Sequence, residues 1–206
     1  MSDVEFQLLE TMRASGGQID LLERHLERLT GAARHFGFAC DQVRVREDLL
    51  REARKRSEDF ILRMLVGPDG SFEIQVKPID TTTVAQRLVL SPHRVDSKDP
   101  FLSRKTTARQ AYMRAREGIP ADADALLVNE RGEVTETTIA NVAIERDGHW
   151  ITPRLTCGLL PGTMRAELLE RGEIVEAILR LEDLREGMTV RCFNSVRGVY
   201  DVPLEI

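Results

Sequence analysis

Between residues 20 and 36 the apolar positions Leu22, Leu26, Leu29, Ala33 and Phe36 recur at helical spacing, which marks an amphipathic helix from about Asp20 to His35. Ahead of it, a strand is expected from Val4 to Arg13, turning at Gly16-Gly17. A second, charged helix follows from Asp41 to Ser57. The pattern then changes period. FILRMLVG and SFEIQVKPI alternate apolar and polar residues around Pro68-Asp69-Gly70, the signature of a hairpin, and RLVLSPHRV adds another strand. These elements predict an α+β first domain over residues 1–98.

The stretch Val95 to Arg104 is polar and carries a proline, so the linker is placed there, with a second domain over residues 99–206. That half predicts a helix from Thr107 to Arg116 closed by Gly118. Strands are expected at Ala125 to Asn129, Val134 to Glu145, Trp150 to Thr152, Ile174 to Leu179 and Thr189 to Phe193. A helix built on Met164, Leu168 and Leu169 begins after Pro161-Gly162 and ends at Gly172.

Composition narrows the function classes. The 206 residues carry a formal net charge of −5, and a nucleic-acid binder would show a basic stripe instead. The arginines from Arg44 to Arg63 alternate with Glu47, Asp48, Glu52, Glu58 and Asp59, as on a solvated helix face. No apolar run approaches a membrane span and no leader opens the chain, so a cytosolic protein is expected. Cys40, Cys157 and Cys192 are too scattered for disulfides or zinc. His25, His35, His93 and His149 lack metal-ligand spacing, and His25 is read as a polar-face or interface residue. No metal is expected.

Three segments carry candidate chemistry. Lys105, in FLSRKTTARQAY, follows an apolar run beside Arg104; desolvation and the like charge would lower its pKa and free the amine for carbonyl chemistry. Glu136, in NERGEVTETTIAN, lies on a predicted strand, where a carboxylate can face a pocket or simply water. In GLLPGTMR, the amides of Thr163 and Met164 open a helix and, with the Thr163 hydroxyl, suit a phosphate.

Taken together, the segments at 8–38, 105–112, 129–141, 157–172 and 193–198 resemble, in order, the class IV (fold-type IV) pyridoxal-phosphate enzymes. This group holds the branched-chain and D-amino-acid aminotransferases and aminodeoxychorismate lyase. The likeness is strongest to the lyase branch, including the lyase-like domain fused to para-aminobenzoate synthase. The resemblance implies two small domains with a pyridoxal 5'-phosphate cleft between them. Lys105 then holds the cofactor covalently, Glu136 partners the pyridine nitrogen, and Arg28 and Ser195 bind phosphate with Thr163 and Met164. Arg28 also fits the polar side of the first helix, and Ser195 an Asn-Ser turn.

Two departures from the family pattern stand out. Met164 replaces the threonine of many aminotransferases, and Gln110 stands where branched-chain enzymes carry a tyrosine, with Tyr112 two positions on. The chain also starts close to its first strand, so a shortened N-terminal hairpin is expected. The implied activity is release of pyruvate and para-aminobenzoate from aminodeoxychorismate in folate synthesis, by a homodimer. The alternatives are a class IV aminotransferase, and a non-catalytic dimeric protein that binds the cofactor without turnover.

Overall fold

A computed structural model describes residues 5–79 and 85–206; Val4, the expected start of the first strand, lies outside them. The chain divides into two compact units, Met1–Thr81 with Arg104–Ala108, and Thr82–Ser103 with Arg109–Ile206.

In the first unit, four strands form a sheet of order β2-β1-β3-β4: β1 Leu8–Ser15, β2 Gln18–Ile19, β3 Phe60–Val66 and β4 Phe72–Pro78. All its pairings are antiparallel. Strict alternation along β3 buries Phe60, Leu62, Met64 and Val66, as a half-buried strand requires. These side chains pack with Leu26, Leu29 and Ala33 of helix α1 (Leu22–Phe36) and with Val45 and Leu49 of α2 (Gln42–Ala53). The expected hairpin forms, its loop closed by Gly67 N–H to the Ser71 carbonyl at 2.8 Å and by Asp69 accepting from the Ser71 amide and hydroxyl. Helix α2 stops at Ala53, short of the expected Ser57, and α1 starts one residue after Leu21, which takes a left-handed backbone at φ 53°.

The second unit is built on a sheet of order β10-β9-β8-β11-β12-β5-β6-β7. Its strands are β5 Arg87–Val95, β6 Ala123–Asn129, β7 Val134–Thr137, β8 Asn141–Arg146, β9 His149–Pro153, β10 Val175–Ala177, β11 Thr189–Asn194 and β12 Gly198–Glu205. A further pairing, Glu136 to Asn141 between β7 and β8, closes six of them into a ring. Helices α3 (Pro100–Ser103), α4 (Gln110–Ala115) and α5 (Thr163–Glu170) complete the unit.

Three expectations are corrected here. RLVLSPHRV belongs to the second unit, because β5 pairs parallel with β6 and β12; parallel neighbours need a long crossover, which hairpin-by-hairpin reading misses. The run Val134 to Glu145 is two strands. The Thr137 hydroxyl accepts from the amides of Ile139 and Ala140 at 3.3 and 3.0 Å, and the Thr137 amide donates to the Ala140 carbonyl at 2.8 Å, which folds the chain back at 138–140. The segment around Lys105 groups with the first unit, since it lines the side of β1 that short β2 leaves unpaired near Leu8.

Candidate active site

The two units each carry a cluster of the expected residues. In the first, Lys105 is held by its backbone: the Leu9 amide donates to its carbonyl at 3.0 Å, Thr106 bridges Leu8, and the Thr107 amide reaches the Gln7 carbonyl at 2.9 Å. The lysine itself is half-buried, flanked by buried Thr106. A side chain on such a pinned stretch starts from a fixed Cα.

On the same strand, Glu10 is 1% exposed and receives Arg28 through Nε at 2.8 Å and Nη2 at 2.6 Å, with His25 Nδ1 at 2.7 Å. Burial alone would raise the Glu10 pKa, but the Arg28 guanidinium and the His25 ring outweigh it and hold the carboxyl down to about 2. Burial, against the pull of Glu10 and with help from Arg28 and Lys105, pushes the His25 pKa below its ordinary value. A carboxylate can only accept, so Nδ1 of neutral His25 carries the ring proton. His25 is therefore neither a polar-face nor an interface residue: it is 1% exposed, inside the first unit. Arg28, whose side chain is 9% exposed, also leaves the solvated face on which helical spacing put it. The carboxylate that draws both inward, Glu10, has no signal in the sequence beyond breaking the polarity of an apolar strand.

In the second unit Glu136 is 3% exposed on β7. Its Oε1 accepts from the Tyr112 hydroxyl at 2.8 Å and the Leu160 amide at 3.0 Å, and its Oε2 from Asn141 Nδ2 at 3.0 Å. Asn141 Nδ2 also donates to the Leu160 carbonyl at 2.9 Å. The loop before α5 is thus tied to the carboxylate, and it passes Asn141 so closely that a Cβ on Gly162 would lie 2.0 Å from Asn141 Oδ1. Thr163, 4% exposed, opens α5, and Met164 follows it on the partly exposed side. Phe193 pairs with Asn141, and Asn194 Nδ2 donates to the Ile139 carbonyl at 3.3 Å. Buried Ser195 lies in the next turn, where the Asn194 side chain accepts from the amides of Val196 and Arg197.

The base of the loop is fixed as well. Asn129 Nδ2 donates to the Cys157 carbonyl and Arg131 Nη2 to the Thr156 carbonyl, each at 2.9 Å. Hydrogen bonds from Arg131 and Asn129 hold the Glu133 carboxyl at about 2. Burial, with Glu133 beside it, pushes the Cys157 thiol up to about 11, so it is a protonated packing group.

Glu136, Thr163, Met164 and Ser195 are therefore brought together in the second unit, and Arg28 and Lys105 in the first. Sequence reading passed over Tyr112 and Asn141 as partners of Glu136. The short step from Glu136 to Asn141 hides a turn rather than a continuous strand, so their convergence has no periodic signal. Among the described residues, no set of His, Cys, Asp and Glu is placed to hold a metal ion.

A closed strand ring with a buried, hydrogen-bonded carboxylate beside a helix start, and a separate sheet that pins a lysine, define a fold-type IV enzyme architecture. The chain belongs to the amino-transferase class IV family, whose model matches residues 7–204. A Schizosaccharomyces pombe protein named "Putative aminodeoxychorismate lyase" is 37% identical over 204 residues, covering 95% of this chain and 88% of that one. The crystal structure titled as a putative amino-acid aminotransferase from Mesorhizobium loti is 38% identical, with a TM-score of 0.87 over 97% of this chain and 100% of that one. The 4-amino-4-deoxychorismate lyase structure from Pseudomonas aeruginosa shares the fold at 23% identity, with a TM-score of 0.80 over 97% and 83% of the two chains. The family is one of pyridoxal-phosphate enzymes.

Proposed function

We propose that this protein is a pyridoxal-phosphate-dependent aminodeoxychorismate lyase, which converts 4-amino-4-deoxychorismate to para-aminobenzoate and pyruvate. The observation that carries the cofactor reading is Glu136: a buried carboxylate that accepts from Tyr112, Asn141 and the Leu160 amide, each of which favours its charged form. Such a group suits a protonated pyridine nitrogen. The amides that open α5 and the hydroxyls of Thr163 and Ser195 are a donor set for phosphate dianion. Arg28, held by Glu10 through Nε and Nη2, adds a planar guanidinium fork of the kind that suits phosphate oxygens. The residues present fit the cofactor.

When bound, pyridoxal phosphate supplies an electron sink next to the amine-bearing carbon of the substrate. Lys105 would hold it through Nζ and serve as the base for the proton on the amine-bearing ring carbon, and Glu136 would face its ring nitrogen. Arg28, Ser195 and the amides of Thr163 and Met164 would anchor the phosphate, so that orientation is fixed before the proton moves.

Likeness to the fission-yeast protein over nearly the full length of both chains supports the lyase reading. The similar identity to the Mesorhizobium loti structure supports a second reading, a class IV aminotransferase. One experiment separates them. Purified protein supplied with pyridoxal phosphate and aminodeoxychorismate is expected to release pyruvate and para-aminobenzoate in equal amounts, and to leave pairs of amino acid and keto acid unchanged. The opposite pattern would replace the lyase with the aminotransferase.

The cofactor roles have their own test. Borohydride is expected to fix the cofactor to the peptide that contains Lys105, and Lys105→Ala to abolish the adduct; label on another lysine would end the assignment. Glu136→Ala should still take up cofactor while turnover falls about 10²- to 10³-fold, the scale of losing one preorganised electrostatic group.

A further inference from the structure

We propose that Tyr112 is a positioning residue for Glu136, whose hydroxyl keeps the shared proton on the cofactor's ring nitrogen instead of on the carboxylate; this rests on the reading of Glu136 given above. The geometry is local to the second unit. Tyr112 projects from α4 and is 7% exposed, and its hydroxyl lies 2.8 Å from Glu136 Oε1. The Leu160 amide takes the same oxygen at 3.0 Å. Two donors fill the two lone pairs of Oε1. That oxygen is anchored, and the carboxylate cannot rotate without breaking both bonds.

The phenol is fixed in turn. The Arg109 guanidinium sits 4.3 Å from the centre of the Tyr112 ring and donates to the Thr138 carbonyl. Thr138 is itself tied to buried Asp124 through its hydroxyl. A cation over the ring face attracts it electrostatically, so Arg109 clamps Tyr112 against the turn that separates Glu136 from Asn141. Burial and the nearby Glu136 charge, with Asp99 adding to them against Arg109, keep the Tyr112 hydroxyl protonated far above neutral pH. It can therefore act toward Glu136 only as a donor.

The chemical consequence follows from how a proton divides between two bases. A pyridine nitrogen and a carboxylate that face each other share one proton, and it stays on nitrogen only if the carboxylate is the weaker base. Each hydrogen bond donated to the carboxylate stabilises its charged form and weakens it as a base. A buried carboxylate without such donors would reclaim the proton, and the ring would lose its electron-withdrawing charge. Tyr112, the Leu160 amide and Asn141 together prevent this.

Tyr112→Phe removes the donor and keeps the ring under Arg109. In the cofactor-free protein, with glutamate carboxyls labelled with carbon-13 and the Glu136 signal assigned by its loss in Glu136→Gln, the carboxyl titration should move up by about one to two pH units. In the protein loaded with ring-nitrogen-15 pyridoxal phosphate, the nitrogen resonance should move toward that of the unprotonated ring. Turnover should fall about 10- to 100-fold with KM little changed. Arg109→Met, which leaves the phenol in place, should shift both resonances the same way and less. In the Glu136→Gln background, Tyr112→Phe should leave the nitrogen resonance where it is.

If Tyr112→Phe leaves the carboxyl titration and the nitrogen resonance where they were, Tyr112 only fills space and the proposal is overturned. The carboxyl titration needs no cofactor. A shifted titration in a protein that never takes the cofactor at Lys105 would therefore sink the proposed function and leave the Tyr112–Glu136 coupling standing, without its use at a ring nitrogen.

Discussion

Glu10 shows how much a single buried carboxylate can decide. Its charge is compensated by Arg28 and further stabilised by the hydrogen bond from neutral His25, and its pKa is depressed from 4.5 to about 2. A group with a depressed folded pKa contributes stability that is full above its unfolded pKa and is lost as pH falls through the folded one. For Glu10 the window runs from about pH 4.5 down to 2, and the contribution is about 3 kcal/mol. The sign for His25 is the same, because its folded pKa is also lowered, so its contribution is full above 6.5 and declines below that. Thermal melts should therefore show a steep loss of stability between about pH 5 and 2. In Glu10→Gln the protein should be less stable at neutral pH and its acid slope shallower. An unchanged slope would show that Glu10 is not an ionised member of the trio.

Such trios are where sequence reading gives out. Lys105 and Glu136 stand in recognisable strings, KTTARQAY and NERGEVTETTIAN, and can be picked out in one dimension. Glu10 and His25 cannot, since they lie on a strand and a helix fifteen residues apart and meet only through tertiary packing. Helical spacing likewise assigned Arg28 to the polar face. It does point away from the apolar stripe, but a strand carboxylate waits there in place of water.

At the scale of elements, alternation and helical period gave β3, β4, α1 and α5 close to their observed bounds. They also gave β5 its bounds but not its unit, because a parallel crossover leaves no local signal, and they failed where a strand is interrupted by a side-chain-capped turn, as between β7 and β8. The loop from Gly158 to Gly162 shows a further kind of constraint. Gly158 has φ +85° and backbone of Ser97 2.4 Å from where a Cβ would sit, while Gly162 abuts Asn141. Gly162→Ala must displace Asn141 or the loop, at a cost of about 1–3 kcal/mol typical of overpacking. Chemical denaturation should register that loss. Turnover should fall with it, because Asn141 and the Leu160 amide both bind Glu136. Full activity in a destabilised Gly162→Ala protein would separate the loop's packing from the site.

For the whole molecule, two units of this size each bury a core of their own, and among the described residues no helix is long and apolar enough to cross a membrane. We propose that the protein works as a homodimer, in which a second copy helps to enclose cofactor and substrate and exclude water. Light scattering at micromolar concentration should report twice the mass of the 23.3 kDa chain. A monomer with full turnover would remove this expectation and leave the chemistry at Lys105 untouched.

The pairing of Glu136 with Asn141 closes the strand ring and, through the two side chains, also fixes the carboxylate. Fold and candidate site therefore meet at the same two residues. The bridge itself is made by backbone atoms; what would hold a lineage that relaxed its need for the carboxylate is the cost of leaving Tyr112, the Leu160 amide and Asn141 without their acceptor. Laboratory evolution of new activity meets the same coupling from the other side: gains sought at Glu136 will draw down stability first, and a search that begins from a stabilised first unit leaves the ring no better protected.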